Sequence, residues 1–463
     1  MRSKSVNIIT ILNIISTFIL QGIAFLTTPI FTRVLGTSQF GIYSLFNSWL
    51  LILTCVMGLS MHSSIGTGLY TYKEKYVSFR NSILLASTLI CLAEFLILFV
   101  FKDLLESALG FTSWIVILIG ICAIGHYIVN FAQSSFIYEK KAWSNFILSV
   151  SVSLVSVGLS ILLITQAGDS KKYMGRIYGV TIVYFLAAVI SWFVLFLKKP
   201  TGIKKEYVKY GFAVGFPIVF HSLSQQLLGQ SDRVMMQMFG LATSEIGIYS
   251  LFYTLSSVLS TVLSALNNSW CPFYYDDVSE EKWDVLDKKC KNYIELFSVI
   301  GVGFLLLSRE VSYIMADSSY WSGINVIPIL TFAVYFTFMY QFPVNFEFFH
   351  KQTKIIAIGT VGAGILNIIL NAIMIPLWGM CGAAIATALS YLTLFFVHFY
   401  IVCHMKDYPY HLSLKVFITG LIFMFTGFVA FYLLSPWWYV RWGLGIILGC
   451  FELYRIYKRK SIF

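Results

Sequence analysis

The chain has 463 residues, 58% hydrophobic and only 11% charged, with a net charge of +11. A soluble domain carries about 25% charged residues, so this composition excludes a soluble enzyme, a disordered chain and a secreted disulfide scaffold. What remains is a multi-spanning membrane protein, in which the positive balance orients loops, and no nucleic acid is expected as a partner.

A bilayer-spanning helix takes roughly 20 apolar residues, and with connections about 33 residues per span divides the chain into about fourteen. Apolar windows predict the spans at 8–32, 41–65, 83–101, 113–137, 144–166, 177–197, 210–230, 246–270, 294–316, 323–346, 355–376, 379–402, 415–434 and 438–456. The runs are continuous rather than alternating, which excludes strands. The first window follows Met1-Arg2-Ser3-Lys4; it is too long for a secretory apolar region and has no A-x-A site, so it is read as a retained span. With the N-terminus inside, 24 of the 32 Lys and Arg fall on inner segments and 8 on outer ones. Both termini are therefore expected in the cytoplasm. One segment dissents: 166–176 places Lys171, Lys172 and Arg176 outside.

Polar groups inside these windows mark candidate function, because hydrocarbon makes each of them costly. Span 1 carries Gln21, Thr28 and Pro29 and ends at Arg33; span 2 carries Asn47. Glu94 lies in span 3 and His126 in span 4. Span 7 carries Pro217, His221, Gln225, Gln226 and Gln230 and ends in Asp232-Arg233; span 8 carries Asn267 and Asn268. Uncharged donors and acceptors suit a sugar in a wet cavity, and they equally suit bonds between helices. Pro29 and Pro217 each remove a helical hydrogen bond, which makes either a hinge or a fixed kink. Glu94 and His126 sit on neighbouring spans, where an acid–imidazole pair can couple a proton or sodium ion to transport or act as a structural bond. Arg33 and Arg233, with Asp232, stand at predicted outer ends, where Arg grips a phosphate or snorkels. Arg309-Glu310, Glu347 and Glu452 sit near span ends and are expected to snorkel.

Residues 35–46, LGTSQFGIYSLF, and 241–252, LATSEIGIYSLF, agree at nine of twelve positions at an offset of 206. A fainter echo pairs Tyr173-Met-Gly175-Arg-Ile-Tyr-Gly179 with Leu377-Trp-Gly379-Met-Cys-Gly382. Spans 1–6 and 7–12 thus read as two copies of one six-helix unit. Six is even, so the copies are parallel and related by an axis along the membrane normal. The expected organisation is a lobe at 1–200, a lobe at 201–403, and an added pair of spans with a basic tail at 404–463, the lobes meeting in the linker 198–209. Two such lobes around a central cleft form the architecture of an alternating-access transporter.

Eight scattered cysteines show no C-x-x-C and read as apolar packing residues. Neither G-x-x-x-x-G-K-[ST], H-E-x-x-H nor G-x-S-x-G occurs. No ATPase, catalytic residue, metal site or cofactor is therefore expected.

Pro29-x-x-Thr32-Arg33-x-Leu35-Gly36-x-x-x-Phe40-Gly41-x-Tyr43 resembles the first-span signature of polysaccharide exporters. Asp232-Arg233 followed by Gly247-x-Tyr249-Ser250, and Gly379-x-x-Gly382-Ala383-Ala384-x-Ala386-Thr387, resemble their seventh-to-eighth and twelfth spans. The family is the O-antigen and polysaccharide flippase branch of the multidrug/oligosaccharidyl-lipid/polysaccharide exporters. The resemblance implies an all-α integral membrane fold. It also implies movement of a polyprenyl-diphosphate-linked oligosaccharide from inner to outer leaflet of a bacterial inner membrane without ATP hydrolysis. The partners it implies are that substrate, membrane lipid, a polysaccharide polymerase, and H+ or Na+ as coupling ion. The alternatives are a cation-coupled multidrug exporter of the same superfamily, which usually has twelve spans, and a membrane polysaccharide polymerase, which needs a large outer loop.

Overall fold

The computed structural model describes the backbone of residues 2–405 and 413–463, and side chains within them apart from residues 2–21 and 24. Every predicted window falls largely on helix. The first two share α1 (Arg2–Val56), which is broken at Gly36 (φ 66°, ψ 176°). After it come α2 (Ser64–Tyr72), α3 (Tyr76–Val100), α4 (Lys102–Leu109), α5 (Ser113–Tyr138), α6 (Ala142–Gln166), α7 (Lys172–Phe196) and α8 (Lys205–Met238). Then follow α9 (Thr243–Ser279), α10 (Trp283–Met315), α11 (Val326–Phe349), α12 (Thr353–Cys403), α13 (Leu414–Leu433) and α14 (Trp438–Arg459). The eleventh and twelfth windows share α12, which is broken at Gly379 (φ 55°, ψ −132°). Both breaks stand where one window hands over to the next, in backbone that only glycine adopts without a steric cost. The short helix α4 occupies a segment read from sequence as an outer loop.

This is an all-α membrane fold. Among the described residues, eight stretches are long and apolar enough to cross a membrane by length and composition, counting Phe25–Val100 and Thr353–Cys403 as one each. The helices α8, α10 and α14 are not among these eight.

The chain packs as two compact units. The first is Met1–Gln237 with Ala242–Gly247; the second is Met238–Leu241 with Ile248–Phe463. The repeat divides the sequence in the linker 198–209, whereas α8 packs with the first unit. Its Gly215 lies so near the turn after α1 that a Cβ there would stand 2.6 Å from the Leu59 carbonyl oxygen.

In the first unit Ile65, Phe79, Ile83, Phe131, Leu195 and Tyr207 form a buried core. At one end of it the buried Arg80 pairs with Glu139 and donates from Nη2 to the Leu195 carbonyl at 3.0 Å. Asn81 donates to the carbonyls of Phe196 and Lys199, and the Lys204 amide donates to Ser82 Oγ at 2.8 Å. The basic linker is thereby fastened to the start of α3. Two of the three dissenting cations of 166–176 find partners. Lys172 pairs with Asp169 at 2.8 Å, and Arg176 lies 3.9 Å over the Phe31 ring and donates to Ser160 Oγ.

In the second unit an aromatic core of Trp270, Tyr293, Phe338 and Phe342 binds α9, α10 and α11. The charges expected to snorkel have partners within the unit. Glu347 is fully buried against His398, Glu310 pairs with the buried Arg441, Glu452 with Arg459 at 2.6 Å, and Arg309 covers Phe431. The three carboxylates thus each meet a cationic or imidazole side chain, which offsets the cost of holding a charge among apolar helices.

Candidate functional site

The two copies of the sequence repeat touch each other inside the first unit. A Cβ on Gly41 would stand 1.8 Å from the Thr243 carbonyl oxygen, and one on Gly247 would stand 2.0 Å from that of Thr37. Thr37 and Thr243 are equivalent in the repeat, as are Gly41 and Gly247, so the contact is reciprocal. Each glycine admits the backbone of the other copy, an approach any side chain prevents. Ser38 Oγ and Thr243 Oγ1 complete it at 2.7 Å. Gln39 extends the fastening by donating to the Asp169 carbonyl and accepting from the Tyr173 amide. The echo glycines also mark close approaches: a Cβ on Gly175 would meet the Ile164 amide, and one on Gly382 the Met374 carbonyl.

Near this contact the second half of α1 meets α8. Ser48 is fully buried, and its hydroxyl lies 3.0 Å from Gln230 Oε1. The same Gln230 oxygen accepts from Arg233 Nη1 at 3.1 Å, and that nitrogen also reaches the Gly229 carbonyl. Asp232 and Arg233 are buried, whereas Arg33 is exposed. Thr28 is buried, Asn47, Gln226 and Gln230 are half-buried, and His221 and Gln225 are exposed one helical turn apart. Pro29 and Pro217 both lie inside helices. The side chain of Gln21 lies outside the described residues. Further prolines at 272, 343 and 376 also sit inside helices, so a proline in a span is common in this fold.

Glu94 and His126 do not pair. His126 stacks on Tyr184 of α7 with ring centroids 3.6 Å apart. Glu94 instead accepts the Gly58 amide at 2.9 Å. That amide belongs to a left-handed break within the predicted second span, where Gly58, Leu59 and Ser60 have φ of 56°, 49° and 50°. Left-handed backbone at Leu59 and Ser60 is costly and persists only where the surroundings hold it. Here Ser60 Oγ donates to the Cys55 carbonyl, and the Tyr127 ring closes over Gly58. The acid–imidazole chemistry expected of spans 3 and 4 stands elsewhere: His398 Nδ1 lies 2.8 and 2.7 Å from the two carboxylate oxygens of Glu347.

In the second unit Asn267 accepts from Asn345 Nδ2 at 3.0 Å, and Asn268 is exposed. Sequence reasoning missed a buried amide ladder on α12, in which Asn371 donates to Asn367 and Asn367 to Thr387 Oγ1 at 3.3 Å. The i,i+4 spacing of Asn367 and Asn371 in an apolar run was the available signal.

Residues 9–274, more than half of the chain, match the family model described as "Polysaccharide biosynthesis protein". The chain belongs to this family. Among curated relatives, "Lsg locus putative protein 1" of Haemophilus influenzae is 21% identical over 358 residues, covering 72% of this chain and 82% of its own length. "Probable low-salt glycan biosynthesis flippase Agl15" of Haloferax volcanii is 23% identical over 378 residues, covering 80% and 78%. Among solved structures, "Lipid II flippase MurJ, inward closed conformation" has a TM-score of 0.75 at 16% identity, covering 96% of this chain and 98% of that one. The "Inward-facing conformation of a multidrug resistance MATE family transporter of the MOP superfamily" has a TM-score of 0.65 at 14% identity, covering 88% and 95%. The family member described here thus has the fold of flippases and exporters, in agreement with the branch its motifs resemble.

Proposed function

We propose that this protein is a flippase that carries a polyprenyl-diphosphate-linked oligosaccharide from the inner to the outer leaflet of a bacterial inner membrane. Movement proceeds by alternating access of two six-helix halves, 1–200 and 201–403, with 404–463 added to the second and both termini in the cytoplasm. The reading rests chiefly on a fold that matches the lipid II flippase over 96% of this chain, against 88% for the inward-facing drug exporter. Membership of a polysaccharide biosynthesis family points the same way.

The sugar passes along the polar side chains of the opening spans of each half: Gln21, Thr28, Asn47, His221, Gln225, Gln226, Gln230, Asn267 and Asn268. Arg33, Asp232 and Arg233 supply charge near the outer end. Pro29 and Pro217 are hinges. H+ or Na+ drives the cycle, with Glu94 and His126 as coupling candidates. The reading for Glu94 is supported by its bond to the left-handed Gly58 amide, because an interrupted span holding a carboxylate is a recurrent form of ion site in transporters. A polysaccharide polymerase uses the translocated product.

Deletion of the protein in its host tests the function. The expected result is accumulation of undecaprenyl-diphosphate-linked repeat units on the inner leaflet with loss of surface polysaccharide. Unchanged surface polysaccharide refutes it.

A further inference from the structure

The pairing of α6 with α7 leaves a groove of about 570 Å³ along one face of the first unit. Its walls are apolar: Ile147 and Val155 on α6, and Leu186, Ile190 and Val194 on α7, all more than a third exposed. In a spanning helix pair, apolar side chains exposed in this way face hydrocarbon, and a mostly apolar groove between them, with only Ser144, Ser151 and Ser191 as polar residues along its length, suits a lipid chain. The groove does not end in hydrocarbon. Lys141, at the start of α6, and Lys198, just after α7, stand together at one mouth. They lie at the end of the unit that holds Arg80 and the basic linker, which is the inner end in the predicted orientation.

Charge at that mouth is out of balance. Arg80, Lys141 and Lys198 gather around a single carboxylate, Glu139, which already pairs with both Arg80 and Lys141. Partial burial, and then the neighbouring Lys141, hold the Lys198 ammonium below its ordinary range. Two like charges in this position favour an anion. A groove among α10, α13 and α14 in the second unit makes the contrast. It is of similar size at about 530 Å³, but Glu295 and Glu452 line it, pairing with Arg455 and Arg459, and Lys291 pairs with Asp287. Its lining thus holds two carboxylates beside two lysines, Lys291 and Lys415, whereas the α6–α7 groove is lined by two lysines and no carboxylate.

We propose that the α6–α7 groove is a binding site for a resident anionic glycerophospholipid of the inner leaflet, its acyl chain between the helices and its phosphate on Lys141 and Lys198. Basic pockets between spanning helices on the cytoplasmic side are known to hold anionic headgroups. The lipid is distinct from the transported substrate, so the site does not depend on the flippase reading.

The test is native mass spectrometry of the full-length protein in detergent, titrated with phosphatidylglycerol or phosphatidylcholine of matched chains. The wild type is expected to retain phosphatidylglycerol preferentially. Each lysine near an anionic headgroup is worth about fivefold, so the preference should fall on the order of twentyfold in K141Q/K198Q and survive in K141R/K198R. Ala187→Trp, which fills the groove, should remove the bound lipid of either class while the protein stays monodisperse. Equal lipid preference in K141Q/K198Q and wild type overturns the proposal. So does displacement of phosphatidylglycerol by stoichiometric undecaprenyl phosphate, which would make the groove a substrate dock instead.

Discussion

Two acid–imidazole sets in this molecule have opposite fates. Glu94 and His126 lie on helices consecutive among the predicted spans, yet Glu94 turns to the Gly58 amide and His126 to the Tyr184 ring. Glu347 and His398 are 51 residues apart and form a fully buried pair between α11 and α12. The difference is one of rotational phase. Neighbouring spans pack, but which residues of each helix face the partner depends on its rotation about its own axis, and a shift of one residue turns a side chain by about 100°. The first set leaves a carboxylate on a strained backbone; the second locks two helices together.

That contrast can be broken experimentally. The largest effect is expected at the lock. His398→Ala leaves the Glu347 carboxylate buried without its partner, at a cost of about 3–5 kcal/mol, read as a sharp fall in thermal stability of the purified protein. Replacing both residues with leucine should recover most of it. If E347L/H398L also transports normally, the pair is structural; loss of transport in a stable double variant would move the coupling site to the second unit.

Next comes the reciprocal contact of the repeat. In a background lacking the eight native cysteines, S38C/T243C should cross-link on oxidation, because the two hydroxyls lie 2.7 Å apart. The cross-linked protein is expected to lose transport at least tenfold and to regain it on reduction. Unimpaired transport by the cross-linked form would mean that this contact never opens. Glu94→Gln keeps an oxygen for the Gly58 amide but removes the charge. Stability should change by about 1 kcal/mol or less, while the transport rate drops several-fold if the carboxylate carries the coupling ion. A variant with wild-type rate and ion dependence would reduce Glu94 to a backbone cap. The smallest effect is expected at His126. Its replacement by Phe preserves the stacking on Tyr184, so stability should shift by less than about 1 kcal/mol and transport should be unaltered. A clear loss of ion dependence would restore His126 as a coupling group.

The legible part of this protein was its one-dimensional part. Continuous apolar runs named the helices, and Gly36 and Gly379 marked the breaks between windows within α1 and α12. The GIYSLF copies foretold a repeat whose glycines do meet. The break at Gly58-Leu59-Ser60 left little trace, because a leucine and a serine in left-handed backbone look like any other apolar stretch. Charges near span ends misled for a related reason. A terminal position suggests snorkelling, but Glu310 and Glu452 found Arg441 and Arg459, one on a distant helix and one a few residues away.

The sequence by itself determined that the chain is a bundle of membrane helices, because an apolar run in a bilayer must satisfy its own backbone hydrogen bonds and the helix does so within one segment. It also carries the repeated GIYSLF segment and, through the motifs, the resemblance to the family. Only the tertiary structure decided which polar groups meet, that α8 packs with the first unit, and that the lysines flanking α6 and α7 share one mouth. Those outcomes depend on helix rotation and on charges brought together from distant positions, which residue order does not encode locally.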